Sequence, residues 1–165
     1  RDCCEQMGVS LGEKETEQFM TYLSLLLEWN EKMNLTAITE PREVVLKHFA
    51  DCLSLVPCVE WRDGMRVIDV GTGAGFPGIP VKIACPEIEL TLLDSLQKRI
   101  GFCRRSAVSL VWRVSTMFIA VRRMADRIRS TVKGSICVFH AQLQIFLFWR
   151  NIACLLLRSA AGLRH

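Results

Sequence analysis

The chain has 165 residues, 50% hydrophobic and 23% charged, so it can bury one substantial core and falls near the usual length of a single domain. Its net charge of +4 conceals an asymmetry, because residues 1–100 hold 16 acidic and 10 basic side chains while residues 101–165 hold one acidic and 11 basic ones. Eight scattered cysteines without a C-x-x-C pair, no secretory signal, and no apolar run of roughly 18 residues argue against a secreted, metal-binding or membrane-spanning protein and predict a cytoplasmic one.

Two helices are predicted before the first strand. Over residues 13–33, apolar side chains recur at spacings of three and four, which is the pattern of one buried helix face. A second helix is predicted from Pro41 toward residue 55, since proline is favoured at a first helical position, and Pro57 ends it. Residues 1–60 are therefore expected to form an N-terminal helical cap.

A β-α-β unit follows the cap. It consists of a β-branched strand at 65–70, a glycine-rich loop at 71–78, a short helix at 79–84 and a second strand at 88–93. The second strand ends on Asp94. Ser95 is expected to cap a further helix that runs from residue 96 to about residue 105. Residues 61–105 thus predict the start of an α/β domain.

The glycine loop and the carboxylate after it predict a nucleoside cofactor. Glycines after a parallel strand bring main-chain amides against a ligand, and an acid at the end of the next strand can accept both ribose hydroxyl protons. Gly71-x-Gly73-x-Gly75 has the spacing of methyltransferases, whereas Gly73-x-Gly75-x-x-Gly78, followed by Asp94 about 20 residues on, satisfies the dinucleotide fingerprint. The spacing alone leaves both cofactors open.

Two features favour S-adenosylmethionine over a dinucleotide. Asp69, just before the loop, would repel a pyrophosphate but suits a zwitterionic methionine group. Pro77 and Pro80 disrupt the regular helix start that a pyrophosphate prefers. We therefore predict that Asp69 belongs to a site for S-adenosylmethionine, and we keep an NAD-dependent oxidoreductase as the alternative.

Six short stretches carry the motifs of one known family, at 27–30, 34–36, 48–51, 68–80, 92–95 and 98–99. The continuation G-F-P-G-I-P in the glycine loop and the segment D-S-x-x-K-R that begins at Asp94 are the most specific of these motifs. On these residues the chain resembles the rRNA small-subunit methyltransferase G family, also called GidB, over residues of about 10–105. Cys52 stands where the family usually has serine.

The resemblance implies a class I S-adenosylmethionine-dependent methyltransferase, which is an α/β fold with a Rossmann-like, mostly parallel sheet. By resemblance, Gly71 and Phe76 contact the cofactor directly, while Gly73, Gly75 and Asp94 shape its pocket.

The implied reaction is methylation of guanine N7 in the 16S rRNA of the small ribosomal subunit. N7 carries a lone pair and no proton, so transfer from a sulfonium needs orientation and neither a general base nor a metal. Lys98 and Arg99 are expected to approach RNA phosphates, although solvated surface cations are an equal alternative. His48 is expected to be a hydrogen-bonded histidine at an interface between helices, with no catalytic role.

Residues 106–165 do not continue the family pattern, and no third strand is recognised in them. They are basic and apolar, and residues 146–149 are four consecutive large apolar side chains that any periodicity would expose. A basic RNA-binding extension and a membrane-surface tail are alternatives. We favour a shift of reading frame near residue 104, which translation of the coding DNA in the other two frames would test.

With two recognised strands the sheet is expected to be incomplete, because a buried parallel sheet needs more strands to hold the loop and the carboxylate in place. On this basis the chain is expected to bind S-adenosylmethionine weakly or not at all. A non-enzymatic, RNA-binding fragment is therefore a third candidate function.

Overall fold

The computed structural model describes residues 6–112, together with the backbone of two later strands. In chain order the elements are α1 (Glu13–Met33), α2 (Pro41–Val44), a π-helix (Val45–Phe49), α3 (Ala50–Leu53), a 3₁₀ turn (Val56–Cys58), β1 (Arg66–Val70), α4 (Gly78–Ala84), β2 (Glu89–Asp94), α5 (Gln97–Ser109), β3 (Thr116–Ala120) and β4 (Cys137–His140). The basic and apolar residues at 121–136 and 141–165, on which several expectations fell, lie outside the described part.

Helix α1 confirms the first predicted helix to the residue. Its buried side chains recur at spacings of three and four: Phe19, Tyr22, Leu23, Leu26 and Asn30. The Glu15 carboxylate accepts the Gly12 amide at 3.0 Å, which satisfies one of the free donors at the helix start. Asn34 ends the helix in the left-handed conformation, with φ of 49°.

The second predicted helix is also present, but it is not uniform. It starts at Pro41, where the Glu40 carboxylate accepts the Glu43 amide at 2.6 Å. Its middle, Val45–Phe49, is wound as a π-helix before α3 completes it. Such wide turns are frequent at functional sites, and this one carries His48.

The sheet has four parallel strands in the order β3-β2-β1-β4. Strands β1 and β2 are those predicted from the sequence, with Asp69 in register with Leu92. The expectation that no strand follows residue 105 is wrong, because β3 pairs with β2 and β4 with β1. Both strands are short, mainly apolar runs beside strongly basic stretches, and a run of four or five such residues does not by itself distinguish a strand from a buried helix segment. Among the strands described, the sheet remains smaller than the family resemblance implies.

The strand order places the helices and the ligand-binding edge. Because β1, β2 and β3 are successive neighbours and such crossovers are right-handed, α4 and α5 lie on one face of the sheet. Helix α1 packs against both α4 and α5. The chain then returns to β4 on the other side of β1, which makes the β1–β4 boundary a topological switch point, where α/β sheets bind ligands at the carboxyl ends of their strands.

The cap and the start of the sheet domain share one hydrophobic core. Tyr22, Val44 and Phe49 from the cap pack in the same cluster as Ile79 and Phe102. All five side chains are buried. Within the part of the chain that the structure covers, no helix is both long and apolar enough to cross a bilayer.

Candidate cofactor site

The glycine loop leaves β1 at the switch point and turns on three glycines with positive φ. Gly71, Gly73 and Gly75 have φ of 73°, 59° and 97°, in the left-handed region that favours glycine. The amides of Gly71 and Thr72 both donate to the Leu93 carbonyl, at 2.8 and 3.0 Å. These bonds fix the start of the loop to the end of β2.

Asp69 braces the loop from beneath. Its side chain is fully buried, and Oδ2 accepts the Thr72 hydroxyl at 2.6 Å and the Gly78 amide at 3.0 Å. Burial raises the pKa of Asp69 to about 7, although the bonds from Thr72 and Gly78 oppose the rise. Its other oxygen, Oδ1, has no hydrogen-bond partner within the described structure. A buried acceptor of this kind is uncommon in proteins and fits a site completed by a ligand.

Asp94 joins the loop to the second strand. Its Oδ2 accepts the Gly73 amide at 2.9 Å and its Oδ1 accepts the Leu96 amide at 2.8 Å. The prediction that Ser95 caps the next helix is wrong, because Leu96 is the N-cap residue of α5 and no side-chain cap is formed. The carboxylate predicted to hold the ribose is therefore already fixed in orientation.

The two cations predicted to contact RNA lie in different surroundings. The Arg99 guanidinium is 3.6 Å from Asp94 Oδ2, with its side chain 40% exposed, so it lies at the mouth of the candidate site. The Lys98 side chain is exposed and forms no hydrogen bond or ion pair with residues 6–112. The sequence predicts one role for both cations, whereas in the structure only Arg99 lies beside the Asp94 carboxylate.

Phe76 packs against the cap. Its ring stacks on His48 at 4.7 Å between centroids and meets Tyr22 edge-on at 5.9 Å. His48 in turn is 2.8 Å from the Thr36 hydroxyl, and burial lowers its pKa, which favours the neutral ring. His48 thus has the interfacial, hydrogen-bonded position expected of it. The predicted contact of Phe76 with a cofactor remains a prediction.

Tyr22 is the site residue that the sequence reading did not identify. Its hydroxyl donates to the Ala74 carbonyl in the middle of the glycine loop, at 2.5 Å, and burial raises its pKa well above the usual value. One signal in the sequence points to it. The only tyrosine of the chain falls on the buried face of a predicted helix, and a buried tyrosine hydroxyl usually has a hydrogen-bond partner.

The assembled site suits S-adenosylmethionine. An alanine Cβ at Gly71 would meet no atom within 4 Å, so the space beside the loop is open to a ligand. Two buried carboxylates, Asp69 and Asp94, bond to main-chain amides of this loop, and their charge is of the sign that a cofactor with a sulfonium and an ammonium group requires. Across residues 6–112 no cluster of three or more His, Cys, Asp or Glu side chains could hold a metal ion.

Comparison with known proteins gives a consistent result. The family model for rRNA small subunit methyltransferase G matches residues 15–130, which extends beyond residue 105. The chain is similar to proteins called ribosomal RNA small subunit methyltransferase G from Alkaliphilus metalliredigens (50% identical over 110 residues, 67% of this chain and 46% of the relative) and Clostridium perfringens strain SM101 (52% over 102 residues, 62% and 43%). A third relative of the same name, from Caldanaerobacter subterraneus subsp. tengcongensis, is 56% identical over 96 residues, 58% of this chain and 40% of that one. The chain therefore matches less than half the length of these relatives.

Proposed function

Because the chain belongs to the rRNA small subunit methyltransferase G family, we propose that its glycine loop and Asp94 bind S-adenosylmethionine and that the methyl group passes to guanine N7 in the 16S rRNA of the small ribosomal subunit. The observation that carries the proposal is the 2.9 Å bond from the Gly73 amide to Asp94, which joins the two parts of the cofactor signature at the switch point. An rRNA enzyme of this kind would work in the cytoplasm.

The residues present would hold the cofactor by complementary hydrogen bonds. Each oxygen of Asp94 accepts one main-chain amide, which leaves acceptor capacity on both for the two ribose hydroxyls. The buried carboxylate of Asp69 would favour the cationic end of the ligand once ionised. The bound cofactor supplies a methyl group on a sulfonium. What remains for the protein is to orient guanine N7 along the methyl–sulfur axis, since N7 has no proton to remove.

The cofactor part of this proposal is tested by calorimetric titration of the 165-residue chain with S-adenosylhomocysteine and, separately, with NAD. We expect micromolar binding of S-adenosylhomocysteine and none of NAD. This replaces the expectation of weak or absent binding, which rested on a sheet of two strands. Binding of NAD alone would support the oxidoreductase, and binding of neither ligand would contradict the proposed site.

The reaction is tested with small ribosomal subunits and S-adenosylmethionine labelled in the methyl group. Label is expected at a guanine whose N7 methylation makes the 16S rRNA cleavable by reduction and aniline. The matched control is Asp94→Ala, which removes the ribose acceptor and should incorporate no label. Equal labelling by both chains would contradict a role for this site.

Lys98 and Arg99 should separate into different roles on substitution. Lys98→Gln is expected to weaken RNA binding, to reduce the slope of log affinity against log salt by about one, and to leave S-adenosylhomocysteine affinity unchanged. Arg99→Gln is expected to change both affinities, because Arg99 contacts Asp94. Filter binding at several salt concentrations and calorimetry provide the two measurements. An Arg99→Gln chain with unchanged cofactor affinity would place Arg99 with Lys98 on the RNA side alone.

For residues 106–165 our proposal remains a shift of reading frame near residue 104. Its support is the charge change in the sequence: residues 101–165 hold one acidic and 11 basic side chains. The match to the family model through residue 130 and the pairing of β3 and β4 with the sheet count against it, so the coding DNA has to decide. By resemblance, a full member of the family continues with segments of the R-A-E and S-R-A type, and if neither alternative frame of the coding DNA encodes such segments, the proposal fails.

A further inference from the structure

The glycines of the loop have no side chains with which to bond to their surroundings, so side-chain bonds that fix their main chain must come from other residues. Asp69 binds the Thr72 hydroxyl and the Gly78 amide, and Asp94 binds the Gly73 amide. These two carboxylates belong to the sheet strands. They leave the crest of the loop, around Ala74, without an anchor from the sheet.

The crest is held by the cap. The Tyr22 hydroxyl, on α1, donates to the Ala74 carbonyl at 2.5 Å across 52 residues of sequence. Ala74 lies between two glycines with positive φ, so the orientation of its carbonyl decides the direction in which the loop turns. A Cβ at Gly75 would lie 3.0 Å from the Tyr22 hydroxyl oxygen, which shows how closely the tip of the tyrosine side chain approaches the backbone of the loop.

The tyrosine ring is itself held rigidly. Tyr22 is 0% exposed and stacks on Phe49 at 5.3 Å between centroids, while Phe102 lies at 6.2 Å and Phe76 meets it edge-on. Phe49, Phe102 and Phe76 belong to the cap, to α5 and to the loop respectively. The hydroxyl therefore has one available direction, toward the loop.

We propose that Tyr22 is a positioning residue, through which the N-terminal cap holds the glycine loop in the conformation that binds the cofactor. The inference rests on the proposed cofactor site. Tyr22 acts through Ala74 and does not touch the ligand. Without the hydroxyl, the ligand-free loop also samples conformations that do not bind the cofactor. The apparent affinity for the cofactor then falls in proportion to the fraction of time that the loop spends in the binding conformation.

The test is Tyr22→Phe, which keeps the ring and removes only the hydroxyl. Its control is Phe19→Leu, a change in the same aromatic cluster that contacts Phe49 and not the loop. Calorimetry is expected to show about fivefold weaker binding of S-adenosylhomocysteine to Tyr22→Phe and a change of less than twofold for Phe19→Leu, although both variants unfold at lower temperature. Equal affinities in Tyr22→Phe and the unchanged chain would overturn the proposal.

Amide hydrogen exchange in the absence of ligand tests the tether independently of the proposed function. The Gly75 and Phe76 amides both donate to the Thr72 carbonyl, at 2.8 and 3.1 Å. In Tyr22→Phe they should exchange about tenfold faster relative to the amides of β1, and in Phe19→Leu the ratio should be unchanged. Equal acceleration of loop and strand amides would reduce Tyr22 to a general stabilising role. If the unchanged chain binds no cofactor, the proposed function fails while this measurement still decides the tether.

Because the chain has a single tyrosine, a second probe can report on this residue while keeping its hydroxyl. Replacing tyrosine biosynthetically by 3-fluorotyrosine gives one fluorine resonance, at position 22. Saturation with S-adenosylhomocysteine should shift it, although the ring does not touch the ligand. An unchanged resonance in a chain that calorimetry shows to be saturated would contradict coupling between cap and site.

Discussion

Gly75→Ala is expected to lower the thermal unfolding midpoint by about 10 °C and to abolish measurable binding of S-adenosylhomocysteine. Gly75 has φ of 97°, which an alanine rarely adopts, and the new Cβ would lie 2.8 Å from Ile79 Cγ1. Ile79 is 0% exposed and belongs to the hydrophobic core, so its displacement would disturb core packing. Backbone strain and overpacking together cost about 4 kcal/mol, and the loop can relieve this only by leaving the conformation that faces the cofactor. Calorimetric melting and ligand titration measure the two effects.

The matched control for this change is Gly64→Ala. Gly64 also has a positive φ, of 71°, but a Cβ there would meet no atom within 4 Å, and it lies in the turn before β1, away from the loop. It should therefore suffer backbone strain alone, lose a few degrees of stability and retain its cofactor affinity. If the two variants behaved alike, the close packing around Gly75 would have no functional consequence.

The sequence predicts the elements of this fold well up to residue 105, because their signals are local. The face of α1 repeats at helical spacing, and β1 and β2 are apolar runs bounded by turn residues. The same logic fails for β3 and β4. Runs this short are equally compatible with a buried helix segment, so what defines them as strands is pairing with β2 and β1, which is a long-range property.

The candidate site also contains residues that the local sequence identifies and residues that only long-range packing brings to it. The glycines and Asp94 are recognisable because strand, loop and carboxylate follow one another within the span of a β-α-β unit. Tyr22 is not, since it comes from a helix 52 residues away and only the packing of α1 over the sheet brings it to Ala74. The distinction between Lys98 and Arg99 is equally invisible in sequence, because it depends on which side of the first turn of α5 faces Asp94.

Asp69→Asn is expected to make the free chain more stable than the unchanged protein at pH 8 and to weaken its binding of S-adenosylmethionine. An ionised Asp69 is a fully buried charge with one oxygen that has no partner among residues 6–112. Asparagine keeps the acceptor for Thr72 and Gly78 and removes the charge. Because cofactor binding is expected to draw on that charge, the change should cost affinity while it adds stability.

Asp69→Asn is expected to be the more stable chain at high pH because the pKa of Asp69 is raised by folding. Burial raises the pKa of Asp69 from its ordinary value of 3.8 to about 7 in the folded chain. The folded state therefore holds the proton of Asp69 more tightly than the unfolded state. The contribution of this proton to the free energy of unfolding is complete below pH 3.8 and is lost as pH rises through about 7. The difference in free energy of unfolding between Asp69→Asn and the unchanged chain should grow over this window, by up to about 4 kcal/mol. Urea unfolding at pH 4, 6 and 8 measures it.

The affinity for S-adenosylmethionine should rise with pH, whereas the stability contribution of Asp69 falls. As pH rises through about 7, ionisation of Asp69 strengthens its attraction for a cation, so S-adenosylmethionine, with its sulfonium, should gain more than the neutral thioether S-adenosylhomocysteine. Asp69→Asn should remove this difference between the two ligands. Asp63→Asn is the matched control, since it deletes a carboxylate that is exposed in the turn before β1 and should alter neither measurement. An Asp69→Asn chain less stable than the unchanged one at pH 8 would mean that the bonds to Thr72 and Gly78 outweigh the burial of the charge, and Asp69 would then be a structural brace of the loop alone.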